Sequence, residues 1–276
     1  MTTTMRIVSF NVNSIRVRLH QLEAVIEGLQ PDVIALQEIK VADEDFPYTA
    51  ISALGYPHMA VYGQKTHYGV ATLSRIQPTS VQRGFSWRPT EQQRRFLATT
   101  YTTEKGPVQV LNGYFPQGEN RNHDVKFKAK TVFYEDILKY IQDNSDPSDC
   151  LALVGDMNIA PEDADIGIGE ENRKRWLRTG KTSFLPEERE WMQRLFDWGL
   201  TDCYAQSTPA QQRLYSWFDY RSRGFEREPK RGLRIDLILA THSLSRNLTN
   251  SGIDYTIRAM ERPSDHCPVW CEFSVP

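Results

Sequence analysis

Cysteine is scarce in this 276-residue chain: Cys150, Cys203, Cys267 and Cys271 are all it has, and no two form a C-x-x-C pair. A few scattered cysteines argue against a disulfide scaffold and suit a reduced compartment. Long apolar runs are missing as well, so no stretch approaches the ~20 residues that a membrane-spanning helix needs. Residues 1–11 show no basic region followed by a long apolar run, which argues against a secretory signal. An excess of positive charge is also absent. The formal net charge is −2, so the bulk basicity common in nucleic-acid binders is excluded. Any attraction for a polyanion has to come from local clusters. Repeats, low-complexity tracts and linkers are not found. One domain over residues 1–276 is therefore expected, soluble and cytoplasmic.

What is present is an apolar content of 39%, enough for a sizeable core. Residues 5–10 read as a strand. Leu19, Leu22, Val25, Ile26 and Leu29 then recur at helical spacing, until Pro31-Asp32 breaks the pattern. Residues 33–36 form a short buried strand that ends in Gln37-Glu38. Residues 69–74, 96–101, 108–114, 151–154, 235–239 and 269–273 read as further strands. Phe133, Ile137, Tyr140 and Ile141 give one helical face, and Trp191, Leu195 and Phe196 give another after Pro186. Strands in runs with helices inserted between them predict a mixed α/β layered domain.

Two segments are locally basic. Arg173, Lys174, Arg175, Arg178 and Lys181 surround Trp176. Arg221, Arg223, Arg227, Lys230, Arg231 and Arg234 interleave with Trp217, Tyr220 and Phe225. Cations among aromatics suit a phosphate backbone with an exposed sugar or base, although a solvated surface loop looks the same.

Acids and amides adjoin short apolar runs at Ser9-Phe10-Asn11, Leu36-Gln37-Glu38, Gly155-Asp156-Met157-Asn158, Arg234-Ile235-Asp236 and Ser264-Asp265-His266. A lone buried carboxylate costs several kcal/mol, so such acids need a cation or donors. Each could cap a helix or fix a turn. All five together fit an oxygen-ligand site for Mg²⁺. His266 supplies a group that titrates near neutral pH. Neighbours on an extended chain point oppositely, so Asp265 need not orient His266, and a different acid such as Asp236 could do so from another strand. Asp156 and Asn158 are spaced to face one way on an extended segment. A zinc site at His266, Cys267 and Cys271 matches no standard spacing, and both cysteines are expected in the core.

With Asn112-Gly113-Tyr114-Phe115-Pro116 and Leu233 added, these motifs resemble the ordered set of the exonuclease–endonuclease–phosphatase superfamily over nearly the whole chain. The run of residues 165–181, with Gly63-Gln64-Lys65, His67-Tyr68-Gly69-Val70-Ala71 and residues 216–221, resembles the bacterial exonuclease III group of abasic-site endonucleases almost residue for residue. Departures are a short extension at residues 1–4 and extra residues around 226–230, which could alter a DNA-contacting loop.

The resemblance implies a four-layer sandwich: two packed mixed β-sheets flanked by helices, with the site at one edge. It implies a DNA-repair phosphodiesterase that is a 3′→5′ exodeoxyribonuclease on double-stranded DNA, an abasic-site endonuclease cutting 5′ to the lesion by metal-assisted water attack, and a 3′-phosphatase and 3′-phosphodiesterase. Mg²⁺ is the expected cofactor, with Mn²⁺ as an alternative. The expected partner is duplex DNA, abasic or 3′-blocked, and the expected state is a monomer away from membranes. By motif matching, Glu38 binds the metal with Asn11 and Asp265 beside it. Tyr114 contacts the scissile phosphate, Asp156 and Asn158 position water and phosphate, and Asp236 pairs with His266. Either Asp156 or His266 is the general base. Trp217, Leu233 and Ile235 are candidates to receive a flipped-out abasic sugar. Gln117, Arg173, Lys174, Arg175, Arg178 and Lys181 are expected substrate contacts. Within the superfamily the rivals are a nonspecific nuclease and a phosphatase of inositol or sphingolipid head groups. A noncatalytic DNA-binding module on this fold is expected to have lost one of Glu38, Asp156, Asn158, Asp236 or His266, and all are present.

Overall fold

The computed structural model describes residues 4–89, 93–104 and 106–274; residues 1–3 of the N-terminal extension lie outside them. In chain order the strands are β1 (Thr4–Asn11), β2 (Val33–Gln37), β3 (His58–Tyr62), β4 (Val70–Ser74), β5 (Ser80–Arg83), β6 (Phe96–Thr103), β7 (Gly106–Tyr114), β8 (Cys150–Asp156), β9 (Leu200–Asp202), β10 (Asp236–Thr241), β11 (Leu248–Ile253) and β12 (Val269–Ser274). The helices are α1 (Leu19–Leu29), α2 (Tyr48–Ala53), α3 (Lys126–Asn144), α4 (Glu170–Thr179), α5 (Pro186–Trp198), α6 (Cys203–Ser207), α7 (His242–Ser245) and α8 (Tyr255–Arg258). They build two six-stranded sheets, ordered β11-β12-β1-β2-β4-β3 and β5-β6-β7-β8-β10-β9. Each sheet has one parallel pair at its centre, β1 with β2 and β7 with β8, and antiparallel strands around it. This is the expected four-layer sandwich.

Strict alternation of side chains explains the layers. Ile7, Val33 and Ala35 point inward and meet Val110, Ala152, Val154 and Ile238 of the other sheet. Val8, Phe10, Ile34 and Leu36 point outward and are covered by Leu22, Val25 and Ile26 of α1. Leu111, Leu151, Leu153, Leu237 and Leu239 are covered by Phe133, Ile137 and Ile141 of α3 and by Met192 and Leu195 of α5. Strands covered on both faces read as continuous apolar runs rather than alternating ones. Cys267 and Cys271 are wholly buried in the layer between the sheets, as core residues.

Element ends follow local rules. Gln30 turns left-handed after α1 (φ 47°), ahead of Pro31. Pro186 opens α5, where a missing amide hydrogen costs nothing, and Glu188 accepts from the Leu185 amide. At the site end of the β7–β8 pair, Gly155 (φ +148°) is required, because a Cβ there would lie 1.8 Å from the Gly113 carbonyl oxygen. The sheets are also tied at this end by polar bonds. Gln37 Nε2 donates to Asn112 Oδ1 (2.8 Å), and Asn112 Nδ2 donates to the Ala71 carbonyl (3.0 Å).

Candidate active site at the joined sheet edges

Strand register gathers the polar residues. Across one sheet, Tyr114 pairs with Asp156 and Asp156 with Asp236, while in the other Asn11 pairs with Gln37, one residue before Glu38. The carboxyl ends of β1, β2, β7 and β8 and the amino end of β10 therefore share one edge. Asn11 spans the two sheets there: its Nδ2 donates to Glu38 Oε1 (2.9 Å) and to Asp156 Oδ2 (3.0 Å), while its Oδ1 accepts from the Asn13 amide (3.0 Å). Its amide thus links two carboxylates. Lys40 Nζ lies 2.9 Å from Glu38 Oε2.

His266 sits between acids. Nδ1 donates to the Asp236 carboxylate (2.9 and 3.0 Å), and Nε2 lies 3.8 Å from Asp156 Oδ2. Asp265 points elsewhere and accepts from Asn13 Nδ2 (2.9 Å) and Trp217 Nε1 (3.0 Å). Glu38, Asp156 and His266 place ligand atoms within 4.8 Å of one another, a group that could hold a metal ion. Asp265 lines the same cavity beside them.

The electrostatics follow from burial. Burial pushes the Asp156 carboxyl up to about 7, helped by the negative charges of Asp236 and Glu38 and opposed by His266. Burial would lower His266, but Asp236 and Asp156 outweigh it and hold the imidazole up to about 10. Burial also works against the Asp265 charge. His266 and the Asn13 and Trp217 hydrogen bonds outweigh it and keep that carboxyl below its ordinary value. Burial first, and Glu38 second, push the Tyr114 phenol well above its usual range, so it is a neutral donor.

Asp156 and Asn158 both reach the cavity, but not along an extended strand. Asn158 is left-handed (φ 53°), its amide donates to Asp156 Oδ1 (3.1 Å), and its Nδ2 donates to the Phe115 carbonyl (3.0 Å). A side-chain-closed turn replaces the strand because the chain must leave the sheet at this point.

These groups line a cavity of about 500 Å³. One wall is apolar and aromatic: Ile168, Trp176, Trp217 and Ile235. The rim is basic: Arg175, Lys181, Arg221, Arg227 and Arg231. Gln117 faces in from beside Tyr114.

Several expectations are corrected. Leu233 is wholly buried behind the wall, because its side chain packs with Ala160, Trp176 and Phe184 while Ile235 reaches the cavity. Arg234 is not a surface cation; its guanidinium is 1% exposed and paired with Asp165 (2.7 Å) and Asp202 (2.7 Å). Lys230 folds back over the Phe225 ring at 4.2 Å. Arg173, Lys174 and Arg178 lie off the cavity. Arg173 pairs with Asp163 (2.9 Å), Lys174 lies 3.6 Å from Glu170, and Arg178 is exposed. Asn11 and Asp236 act from behind the cavity floor. Ile168, Asn172, Ser183 and Asp219 line the cavity without having been singled out. Ile168 lies just before α4 and Asn172 within it, both in the run of residues 165–181, and the basic residues of that run were the available signal.

A carboxylate–histidine floor, a neutral phenol donor and a basic rim define a hydrolase site for anionic esters. The chain belongs to the Endonuclease/Exonuclease/phosphatase family, whose profile matches residues 8–266. Within it, the chain is 54% identical to exodeoxyribonuclease III of Haemophilus influenzae over 269 residues, which is 98% of this chain and 100% of that one. It is also similar to two solved structures. One is the Neisseria 3′ phosphatase NExo bound to product DNA hairpin, with TM-score 0.87, 38% identity, and 98% and 99% of the two chains covered. The other is an AP endonuclease from Archaeoglobus fulgidus, with TM-score 0.88, 30% identity, and 98% and 100% covered.

Proposed function

We propose that this chain is a DNA-repair phosphodiesterase. It acts as a 3′→5′ exodeoxyribonuclease on duplex DNA, as an endonuclease 5′ to abasic sites, and as a 3′-phosphatase, through one catalytic unit working as a cytoplasmic monomer. The observation that carries this reading is the floor Asp236–His266–Asp156, set between the Glu38 carboxylate and a wall of Trp217, Ile235 and Ile168. The floor suits attack on phosphorus. The wall suits a sugar that has lost its base and left the stack. The relatives named for exonuclease, 3′ phosphatase and AP endonuclease activities support the same range.

His266, held protonated by Asp236, presents Nε2 to a phosphate oxygen, which offsets anionic charge where it grows. Because the imidazole keeps its proton at neutral pH, Asp156 is the better base, with an acidity near the working pH. It takes a proton from the attacking water. Asn158 orients that water or the phosphate, and Tyr114 donates to the phosphate. The Glu38 carboxylate is a hard oxygen donor facing the cavity, with the Asp156 and Asp265 carboxylates beside it, so the site fits a divalent ion that Glu38 would hold. When bound, Mg²⁺ supplies positive charge to the phosphate and the leaving oxygen.

The test is cleavage of four substrates: a duplex with one abasic site, an intact duplex, a 3′-phosphorylated duplex and an inositol phosphate, each with and without EDTA. The expected result is fast cutting 5′ to the lesion, release of 3′-phosphate, slower loss of 3′ nucleotides, and no reaction in chelator. Preferential hydrolysis of inositol phosphate would overturn the reading.

Two further results follow. Activity should decline as pH rises through about 10, where His266 loses its proton, and the decline should be absent from the residual activity of His266→Asn. Rate measurements across a pH range of roughly 6 to 11 on both proteins check this. Replacing Arg175, Lys181 and Arg221 by alanine should weaken binding equally for all duplex sequences, since cations that meet phosphates read no bases. The salt slope should fall by about 0.9 for each phosphate that is no longer neutralised. An unchanged slope in fluorescence titrations would move the DNA path away from this rim.

A further inference from the structure

Beneath the cavity lies an ion pair that never reaches it. Lys130 of α3 and Glu188 of α5 are both wholly buried, and Lys130 Nζ donates to Glu188 Oε1. The same ammonium donates to the Asn158 carbonyl (2.8 Å) and to the Gln117 carbonyl (3.4 Å). The other carboxylate oxygen, Oε2, accepts from the amides of Ser183 (2.7 Å) and Leu185 (2.8 Å). One buried pair thus takes hold of three separate loops by their backbones. Each loop contributes a residue to the cavity: Gln117, Asn158 and Ser183.

Helix packing alone does not account for the pair. Phe127 and Tyr134 of α3 already pack at a tilt against Trp191 of α5, with ring centroids 5.5 and 5.7 Å apart. Taking two charges out of water is costly, and a pair of apolar residues would join two helices at least as well. What apolar residues could not do is satisfy the carbonyls and amides that converge here. At Asn158 the side chain and amide already close the turn, and the ammonium adds a hold on its carbonyl. The Lys130 stem completes the fit. A Cβ on Gly118 would lie 3.0 Å from Lys130 Cδ, so the loop after Gln117 rests directly on the side chain.

We propose that the buried Lys130–Glu188 pair is a positioning device for catalysis, holding the Gln117, Asn158 and Ser183 loops at the spacing the reacting phosphate requires. It rests on the phosphodiesterase reading above, and neither residue touches substrate. Misplacement by about 1 Å can cost up to about 10²-fold in rate, so the effect should appear in turnover rather than affinity.

The test is Lys130→Met combined with Glu188→Gln. This variant leaves no unpaired buried charge and keeps an acceptor for the Ser183 and Leu185 amides. Its melting temperature should fall by only a few degrees, because the Asn158 and Gln117 carbonyls lose their donor, and the protein should stay folded at the assay temperature. Its kcat on the abasic duplex should fall by about 10- to 10²-fold, with KM within about twofold. A folded double variant with parental kcat, or an effect confined to KM, overturns the positioning role. Should the double variant fail to fold, Glu188→Asp keeps both charges and shortens the reach by one methylene. It must show the same split, and unchanged kcat there also overturns the role. A parent enzyme that does not cut the abasic duplex overturns the phosphodiesterase reading itself. An active parent beside an equally active variant overturns only the role of the pair.

Discussion

Glu38→Ala is expected to lower abasic-site cleavage by more than about 10²-fold at ordinary magnesium, and added metal is expected to restore only part of it. The magnitude follows from rank. Removing groups that merely orient metal ligands costs about 10- to 10²-fold, so removing a direct carboxylate ligand should cost more. Glu38 is the acid at the end of β2, and its two oxygens face the Asn11 amide and the Lys40 ammonium. The alanine variant leaves Asn11 bonded to Asp156, so the fold should be kept, and circular dichroism and melting temperature should match the parent. Calorimetric titration of metal into the DNA-free protein gives a second readout, in which weakened binding should accompany the reduced rate. Parental turnover in the variant would remove Glu38 from the metal site.

Asp156→Asn should be the most damaging isosteric change. General-base catalysis is worth about 10²- to 10⁴-fold, and the amide cannot accept the proton. Shape is retained, so the dissociation constant for an abasic duplex should change little. The interaction removed belongs to the transition state rather than the ground state. Stability should change little, because relief of a buried charge is set against the loss of one acceptor for the Asn11 Nδ2 and Asn158 amide donors. Burial penalises the charged form of Asp156, and above a pH of about 7 the variant no longer carries that buried charge. Equal losses in binding and turnover would make Asp156 a binding residue. Retained turnover would return the role of base to His266.

The local patterns were readable without the fold. Leu22, Val25 and Ile26 at helical spacing gave α1, and the runs at residues 33–36 and 151–154 gave the two central strands, because both faces of those strands are covered. The strands that escaped notice are those at or near edges. β3, β5, β9 and β11 are short and carry exposed or half-buried positions. Each forms because a partner strand offers hydrogen bonds: β4, β6, β10 and β12 respectively. A ladder supplied by another segment leaves little trace in the residues it recruits.

The site divides in the same way. The polar residues that gather at this edge were legible in the chain, because several acids beside buried runs, unlike any one of them, are poorly explained as caps and turns. Glu38, Asp156, Asp236 and His266 came from that set, and the divergence of Asp265 and His266 followed from the alternation of an extended chain. Their mutual arrangement was not legible. Asn11 bridging Glu38 to Asp156 depends on the packing of two sheets formed by distant segments. The withdrawal of Arg234 from the surface depends on Asp165 arriving from the segment before α4 and Asp202 from the end of β9. Nothing in the sequence set Lys130 apart; its role appeared only where Glu188, Asn158 and Gln117 closed around it. Sequence determined residue type, local conformation and the period of burial, since those depend on near neighbours. Tertiary structure alone decided which charges were paired, which were buried and which faced the cavity, because charge energies depend on distances across strands and on the loss of water, and neither is written in a linear order of residues.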